Sequence, residues 1–260
     1  MKIMLTGDVV GRTGRAAWQK YAPQLRKEHG LDVVIVNGEN AAGGKGLTQS
    51  ALDELYRGGA DVITSGNHIW DKKEVMEFID REPFLLRPAN YPGDTPGHGY
   101  CVYPFKAKNI GVINLSGRTF MDVLDCPFQT VETILAELEK ECDIILLDFH
   151  AETTSEKVAM GHYLDGRVQG VFGTHTHVPT ADARILPEGT AYVTDLGMVG
   201  ARDSVLGVKT ELIVQKFLTG RPVRFDVATG PAVFNAVIVT FDDRTDKATA
   251  IERVLITEEE

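Results

Sequence analysis

The stretch Asp32-Val33-Val34-Ile35-Val36-Asn37-Gly38-Glu39-Asn40 indicates the fold class, because it joins a run of β-branched residues to a polar turn. An apolar run without alternation is typical of a strand buried on both faces, as in a parallel sheet covered by helices. Residues 48–57 have helical character and follow this turn, with Thr48 as the expected N-cap. The stretch therefore predicts a strand–turn–helix unit of an α/β protein.

The same unit recurs on both sides of this stretch. We expect further strands at residues 2–5, 61–64, 109–115, 143–147, 168–172 and 191–194, and further helices at residues 15–29, 71–79 and 127–140. The last third differs, because residues 211–217, 233–241 and 248–256 are typical of longer strands joined by turns. The sequence predicts a mixed α/β core completed by antiparallel strands. No linker rich in Pro, Gly or Ser divides the chain, so we expect one domain over residues 1–260.

The composition is that of an ordinary globular protein, since 43% of the 260 residues are hydrophobic and 25% are charged. No apolar run approaches the roughly 18 residues of a membrane span, and the first residues lack the features of a signal peptide. The three cysteines, Cys101, Cys126 and Cys142, are widely spaced and form no C-x-x-C pair. This spacing disfavours a disulfide framework and a cysteine zinc site. We therefore expect a cytoplasmic protein with no membrane partner.

The net charge of −10 restricts the partners of the protein. Phosphate backbones repel an acidic surface, and proteins that bind extended nucleic acid usually carry a basic stripe, which this sequence lacks. A small anionic substrate remains compatible with this charge if metal ions dominate the local field. The expected partner is therefore a small molecule.

Polar residues that can bind metals follow almost every apolar strand. The candidates are Asp8, Glu39, Asn40, Asn67, His68, His150, His175 and His177. In α/β sheets, ligands bind outside the carboxyl ends of the strands. We therefore expect these side chains to converge in one crevice.

The candidates combine carboxylates, amide oxygens and imidazoles, which suit metals such as Mn, Fe or Zn. They outnumber the ligands that one tetrahedral ion needs, and Glu39 could bridge two ions through its two oxygens. Paired ions activate water near neutral pH and bind a phosphoryl oxygen. The residues thus predict metal-assisted hydrolysis of a phosphate ester.

Each candidate alone also has a purely structural interpretation. Asp8 could be a turn or N-cap residue, Asn67 a turn asparagine with positive φ, and His150 a core histidine. The His175-x-His177 pair is more specific, because residues i and i+2 of an extended segment point the same way. The combination favours a metal site over the structural interpretations.

These motifs, in this order, resemble those of the calcineurin-like metallophosphoesterases. The general pattern of that superfamily is D-x-H, G-D, G-N-H-[DE], H and G-H-x-H, and the match covers roughly residues 1–180. The chain carries it as Asp8, Gly38-Glu39, Gly66-Asn67-His68, His150 and Gly173-Thr174-His175-Thr176-His177. The strings T-G-D-V-V-G, N-G-E-N-A-A-G-G and S-G-N-H-I-W-D are similar to those of its YmdB-like bacterial branch.

The resemblance implies a four-layer α/β/β/α sandwich with two mixed β-sheets, formed by a single metallophosphoesterase domain. It implies a phosphodiesterase that hydrolyses 2′,3′- or 3′,5′-cyclic nucleotides with a hydroxide activated by two metal ions, iron or manganese. Zinc also suits the donor types. By resemblance, the ligands are Asp8, Glu39, Asn40, Asn67, His150, His175 and His177, with Glu39 bridging. His68 is implied as the general acid, which agrees with the need of a leaving alkoxide for a proton.

The sequence departs from the superfamily pattern in two motifs and leaves a second function open. Val10 stands where the first motif has its histidine, and Glu39 replaces the bridging aspartate. The missing histidine motivates the alternative of a non-catalytic protein that senses a nucleotide or binds a partner on the same scaffold. The oligomeric state is also open, and a homo-oligomer is one option.

A third interpretation, a Rossmann-like nucleotide enzyme, finds little support in the sequence. No G-x-G-x-x-G fingerprint follows a strand, and the loop Gly43-Gly44-Lys45-Gly46 does not fit the P-loop pattern. The sequence therefore favours the metal-dependent hydrolase.

Overall fold

The computed structural model describes residues 1–259 and shows two mixed β-sheets that pack face to face. The strands of the first sheet are β1 (Lys2–Thr6), β2 (Asp8–Val9), β3 (Val33–Asn37), β4 (Val62–Thr64), β11 (Met198–Ala201), β12 (Ala232–Phe241) and β13 (Ala248–Thr257). Their order is β2-β11-β12-β1-β3-β4, and β13 pairs with β12. Strands β1, β3 and β4 are parallel, whereas β12 is antiparallel to β1, β11 and β13.

The second sheet has six strands in the order β5-β6-β7-β8-β10-β9. They are β5 (Tyr100–Phe105), β6 (Lys108–Ser116), β7 (Ile144–His150), β8 (Gly170–Thr174), β9 (Arg184–Ile185) and β10 (Ala191–Val193). The central strands β6, β7, β8 and β10 are parallel, and the two edge strands are antiparallel to their neighbours. The carboxyl ends of three or more parallel strands therefore lie at one edge of each sheet.

Helices cover the outer face of each sheet. These are α1 (Gly11–His29), α2 (Gln49–Arg57), α3 (Pro127–Leu138) and α4 (Thr154–Tyr163), whereas α5 (Thr210–Thr219) has no buried residue. Helices α1 and α2 pack on the first sheet, α3 and α4 pack on the second, and a third apolar core lies between the sheets. This arrangement confirms the expected α/β/β/α sandwich. Within residues 1–259, no helix combines the length and the apolar character that crossing a membrane requires.

Local signals in the sequence account for the helices of the first outer layer. Thr48 is the N-cap of α2, as expected, because its hydroxyl accepts a hydrogen bond from the Ala51 amide over 3.3 Å. Helix α1 ends at Gly30, whose φ of 64° is the left-handed conformation that glycine adopts without strain. Trp18 of α1 is fully buried and donates to the Leu55 carbonyl over 2.9 Å. This bond fixes α1 against α2 over the first sheet.

The strand predicted at residues 211–217 is wrong, because this segment forms helix α5. The β-branched run Ile213-Val214 favoured a strand, but no residue of α5 is buried, so the run does not mark a core strand. The helix ends at Gly220, whose φ is 65° and whose amide donates to the Lys216 carbonyl over 2.8 Å. Glycine followed closely by Pro222 is a helix-end signal that outweighs the β-branched pattern.

The α-helix predicted at residues 71–79 is also wrong. Three short 3₁₀ turns, Ile69–Asp71, Lys73–Glu77 and Ile79–Arg81, occupy this region. Their amides bond three residues back, as from Val75 to the Lys72 carbonyl over 3.1 Å. Pro83, two residues after the last turn, prevents the region from continuing as a helix.

Candidate metal centre

The oxygen donors of the candidate site lie at the carboxyl ends of three parallel strands of the first sheet. Asp8 follows β1, Glu39 and Asn40 follow β3, and Asn67 follows β4. The side chains of Asp8 and Glu39 are fully buried. We call these four residues the oxygen half of the site.

The nitrogen donors lie at the carboxyl ends of the second sheet. His150 is the last residue of β7, His175 follows β8, and His177 lies two residues further on. His150 is fully buried, whereas the side chains of His175 and His177 are 19% and 13% exposed. We call these three histidines the nitrogen half.

The two halves meet at His150. Its Nε2 lies 3.2 Å from Glu39 Oε1, 3.0 Å from Asn67 Oδ1 and 3.0 Å from His175 Nδ1. Gly66 allows this approach, because a Cβ there would lie 2.2 Å from His150 Nε2 and 2.5 Å from Glu39 Oε2. The ligand atoms of Glu39, His150 and His175 all lie within 4.8 Å of one another. They form one compact group of donors.

A second group of donors surrounds Asp8. Its Oδ1 lies 3.9 Å from His177 Nε2 and 3.9 Å from His150 Nδ1. Asn40 Nδ2 lies 3.1 Å from His177 Nε2 and 3.1 Å from Glu39 Oε1. The Asn40 amide thus presents its nitrogen, and it must turn by about 180° about its last torsion before its oxygen faces the group. Glu39 contacts both groups.

Asp8 Oδ1 allows a test of whether a cation fits this site. The oxygen is buried and has no hydrogen-bond partner among residues 1–259, while Oδ2 accepts from the His175 amide over 3.2 Å. Leaving a buried carboxylate oxygen unpaired is costly, so such oxygens are normally paired with a cation or bind a metal. Carboxylate, amide and imidazole donors suit Mn, Fe or Zn. The residues therefore fit a metal ion, and Glu39 contacts both donor groups.

His68 lies at the edge of the donor groups. Its backbone amide donates to Glu39 Oε2 over 3.0 Å, whereas its ring Nδ1 lies 3.2 Å from Asp71 Oδ2. The side chain is 26% exposed. The ring can therefore contact both solvent and a bound molecule.

The buried charges of the two halves compensate each other. Burial would raise the pKa of Glu39, but the charge and hydrogen bond of His150 lower it to about 2. Burial would likewise lower the pKa of His150, but Glu39 and then Asp8 raise it to about 9. Burial raises the pKa of Asp8 to about 6 against the opposing effect of His177 and His150. Burial, followed by the charge of His150, lowers the pKa of His175 to about 3 and keeps that ring neutral.

Buried polar residues contact His150 on its Nδ1 side, opposite the donor group. Thr174 Oγ1 lies 2.9 Å from His150 Nδ1 and donates to Asp148 Oδ1 over 2.6 Å. Asn37 Nδ2 donates to Asp148 Oδ2 over 3.1 Å, and Thr64 donates to the same oxygen. Because Thr174 gives its proton to a carboxylate, it accepts one from His150 Nδ1, and Nε2 faces the donor group.

The sequence interpretation did not include these supporting residues, although a signal for one was present. Asp148 and His150 are two residues apart in β7 and therefore lie on the same face of the strand. Burial raises the pKa of Asp148, as expected for a carboxyl group inside a core. The pairing of Asp148 with Asn37 and Thr174 depends on sheet packing and has no signal in the sequence.

The His-x-His pair has a different geometry from the extended segment that the sequence indicated. His175 and His177 have φ values of 102° and 65°, which are positive and uncommon for these residues. As a result, the two rings separate: His175 Nδ1 faces His150, whereas His177 Nε2 faces Asn40. Each donor group receives one of the two histidines.

Comparisons with known proteins identify the family of the chain. The sequence profile of a family described as "YmdB-like protein" matches residues 4–254. The chain belongs to the YmdB-like family. A Bacillus subtilis (strain 168) member named 2′,3′-cyclic-nucleotide 2′-phosphodiesterase is 51% identical over 259 residues, which are 100% of this chain and 98% of that protein.

Two solved structures resemble the chain over its whole length. A hypothetical protein from Thermus thermophilus has a TM-score of 0.94 and 42% identity, with 100% of both chains covered. A structure described as a novel phosphatase from Mycoplasma pneumoniae also has a TM-score of 0.94, with 37% identity and coverage of 100% of this chain and 94% of the other. Proteins described as a phosphodiesterase and as a phosphatase are therefore similar to this chain over its whole length.

Proposed function

We propose that the protein is a metal-dependent phosphodiesterase for small cyclic phosphodiesters, with 2′,3′-cyclic nucleotides as the first substrate class. One observation carries this proposal: donors from two sheets form two adjacent groups that share the buried carboxylate of Glu39. The name of the Bacillus subtilis relative, a 2′,3′-cyclic-nucleotide phosphodiesterase, supports the substrate class. The acidic net charge of −10 also favours a small substrate over extended nucleic acid.

The two donor groups divide the proposed ligands between two ions. Glu39, Asn67, His150 and His175 would hold one ion, and Asp8, Glu39, Asn40 and His177 the other. Bound transition-metal ions of this kind activate water and neutralise charge on a phosphoryl group. Iron or manganese is proposed, and zinc also fits the donor chemistry.

The residues around the ions define the remaining roles. His150 donates its Nδ1–H to the Thr174 hydroxyl, so its Nε2 stays oriented towards Glu39. His68 is the proposed general acid: Asp71 contacts its Nδ1 at 3.2 Å, so the other ring nitrogen is available to protonate a leaving oxygen. Such a proton donor is needed when the leaving group is a ribose alkoxide.

A surface cleft at Trp70 supports a nucleoside as part of the substrate. It is an open depression of about 370 Å³ lined mainly by apolar groups, from Trp70, Met76, Pro92, Asp94, Thr95 and Pro96. Trp70 lies two residues after His68 and packs edge-on against Tyr91, with 5.9 Å between ring centroids. Aromatic faces stack on bases with about 1–3 kcal/mol per base. The cleft thus offers a place for the base while the phosphate lies at the metals.

The second candidate is a non-catalytic nucleotide sensor, and Val10 is the observation that favours it. Val10 replaces a potential ligand with a buried apolar side chain, which packs against Gly200 and Gly207. The remaining donors nevertheless form two groups, and His68 lies beside them. These features favour catalysis over sensing.

The proposal extends to the setting of the enzyme. The three cysteines are free thiols, which fits the reducing cytoplasm as the proposed location. We also propose that the chain acts as a single metallophosphoesterase domain, since donors from both sheets complete one site.

Metal analysis combined with a substrate panel tests the proposed function. Purified protein is expected to carry about two transition-metal ions per chain. It is expected to hydrolyse 2′,3′-cyclic AMP faster than 3′,5′-cyclic AMP, and bis-p-nitrophenyl phosphate faster than the monoester. Metal-loaded protein that binds 2′,3′-cyclic AMP tightly without hydrolysing any diester would support the sensor instead.

A further inference from the structure

A buried ion pair lies next to the site and outside the donor set. Lys157 Nζ donates to Asp195 Oδ2 over 2.7 Å, and both side chains are 1% exposed. Lys157 belongs to α4, and Asp195 follows β10. Burying two charges costs several kcal/mol per ion, and apolar residues of similar volume often stabilise a core equally well. Stability alone therefore does not explain the pair.

The contacts of Asp195 indicate what the pair does. Its Oδ2 also accepts from the Thr176 amide over 3.0 Å, and its Oδ1 accepts from the Gly197 amide over 2.8 Å. Thr176 lies between His175 and His177. One carboxylate thus fixes the middle of the His-x-His segment and closes the turn at residues 195–197.

This turn also contacts the oxygen half of the site. The Gly197 carbonyl accepts from the Asp8 amide over 3.1 Å, and a Cβ on Gly7 would lie 2.0 Å from that carbonyl oxygen. On the side of the second sheet, a Cβ on Gly173 would lie 1.8 Å from the Thr194 carbonyl oxygen. The chain at Gly7 and at Gly173 therefore approaches residues 194–197 too closely for a side chain at either glycine. The turn thus contacts both halves of the site.

The segment that Asp195 holds needs such support. His175 and His177 both have positive φ, at 102° and 65°. Non-glycine residues in this region cost about 1–3 kcal/mol each and keep the conformation only where the surroundings hold them. The bond from the Thr176 amide to Asp195 supplies that restraint between the two histidines.

Lys157 neutralises the buried negative charge of Asp195. Without a cation, the Asp195 carboxylate would add a buried negative charge to a region that already holds Asp8 and Glu39. Like charges that are buried close together oppose ionisation and separate the groups that carry them. Lys157 compensates this charge without becoming a ligand itself.

We propose that Lys157 and Asp195 are positioning residues for metal binding. Through the Thr176 and Gly197 amides, they fix the spacing between Asp8 in the oxygen half and His177 in the nitrogen half. This inference rests on the proposed metal-dependent function. Metal affinity then depends on the Lys157–Asp195 pair, although neither residue is a ligand.

Direct Mn²⁺ titration of Asp195→Asn tests the proposal. The amide keeps the shape of the side chain, but its NH₂ group must face one of the N–H donors that the carboxylate accepts from. We expect the Mn²⁺ affinity to fall by about 10- to 100-fold, the usual cost of losing a residue that orients ligands. The measurement is made by calorimetry at a temperature where circular dichroism shows the variant to be folded. Activity should recover as Mn²⁺ is raised.

Two further variants separate positioning from general stability. Lys157→Met with Asp195→Asn removes both charges, so it should fold better than Asp195→Asn alone but still bind Mn²⁺ weakly. Glu132→Gln is the control, because it removes an exposed ion pair with Arg167 beside the same sheet. It should leave the Mn²⁺ affinity unchanged.

Hydrogen exchange on the unmutated chain keeps the proposal testable if the variants do not fold. The Thr176 and Gly197 amides should exchange as slowly as those of β8. An Asp195→Asn protein that melts at a lower temperature yet binds Mn²⁺ within twofold of the unmutated chain would overturn the proposal, as would fast exchange at Thr176. Failure of the unmutated chain to bind any metal would instead overturn the proposed function.

Discussion

The two halves of the site are held in place in different ways. In the oxygen half, the donors follow directly from the ends of parallel strands, and a backbone amide fixes the shared carboxylate, as from His68 to Glu39 Oε2 over 3.0 Å. In the nitrogen half, His150 depends on the hydroxyl of Thr174, and the His-x-His segment has a left-handed backbone. Strand ends and backbone amides therefore position the residues of the oxygen half, whereas the histidines depend on hydrogen bonds with particular side chains such as Thr174 and Asp195.

This difference implies different sensitivities to mutation. A change behind the nitrogen half should weaken metal binding even where it touches no ligand directly, because the ring orientation is set by a hydrogen bond. The oxygen half should respond mainly to changes that displace the backbone or fill the space between the two halves.

The largest effect is expected where the two halves touch, at Gly66. In Gly66→Ala, the new Cβ would lie 2.2 Å from His150 Nε2 and 2.5 Å from Glu39 Oε2, so the two side chains must separate. We expect loss of bound metal, hydrolysis at the background level and destabilisation by about 1–3 kcal/mol. Metal content, diester hydrolysis and urea unfolding measure these effects.

Gly111→Ala is the matched control for this variant. Gly111 lies within β6, and a Cβ there would approach nothing closer than 3.1 Å. It should keep its metal and its activity. If Gly66→Ala also keeps its metal and its activity, close contact between the two halves is not required for metal binding, which would contradict this prediction.

The next largest effect should come from His68, which lies beside the oxygen half but supplies no ligand. His68→Ala keeps the backbone amide that holds Glu39, so the metal should stay bound. Hydrolysis of 2′,3′-cyclic AMP should fall by about 10²–10⁴-fold, because the alkoxide leaves without a proton donor. Hydrolysis of bis-p-nitrophenyl phosphate should fall much less, since p-nitrophenolate leaves unprotonated.

The two substrates separate proton donation from substrate binding. An equal loss on both would show that His68 positions the phosphate or the metals and does not act as an acid. His98→Ala is the control, because His98 is an exposed loop histidine far from the donor groups along the chain.

The same contrast explains how much of the site the sequence could predict. The donors of the oxygen half follow apolar strands directly, so a strand pattern and the rule of carboxyl ends are enough to bring Asp8, Glu39 and Asn67 together. The left-handed backbone at His175 and His177 is different. It depends on Asp195, which is 18 residues from the nearer histidine and follows another strand, and no local pattern indicates such a contact.

The errors in the fold have a similar origin. Residues 211–217 resemble a strand by their β-branched content, whereas the structure has a helix here that ends at Gly220. Burial normally separates these two interpretations, but helix α5 has no buried residue, so the hydrophobic pattern carries no information about a core. The sequence predicted the elements whose apolar residues are buried in the core. For α5, the glycine at its end was the more informative signal.

Thr174→Val tests the nitrogen half with a smaller expected effect. Valine keeps the shape of threonine, but it leaves His150 Nδ1 and Asp148 Oδ1 without the hydroxyl that joins them at 2.9 and 2.6 Å. We expect the Mn²⁺ affinity to fall by about 10- to 100-fold, with about 1–3 kcal/mol of lost stability. Calorimetric titration and urea unfolding measure the two quantities.

Thr190→Val is the control that separates lost stability from lost Mn²⁺ affinity in Thr174→Val. Thr190 is fully buried in the same layer and donates to the Val168 carbonyl over 2.6 Å, away from the donor groups. It should lose comparable stability and keep its Mn²⁺ affinity. An unchanged affinity in Thr174→Val would show that the ring of His150 is oriented by its metal-side contacts alone.

The last prediction concerns the stability of the unmutated chain, where metal removal should act unequally on the two halves. A ligand present at 100 times its Kd stabilises a protein by about 2.7 kcal/mol, which corresponds to about 5–10 °C in Tm for a chain of this size. Chelation should therefore lower Tm by about this amount, and Mn²⁺ should restore it. Amide exchange should speed up around His175 and His177, whose positive φ needs support, and stay slow around Glu39, whose strand is buried on both sides. Equal changes in both segments would mean that the metals, and not the strand ends, hold the oxygen half in place.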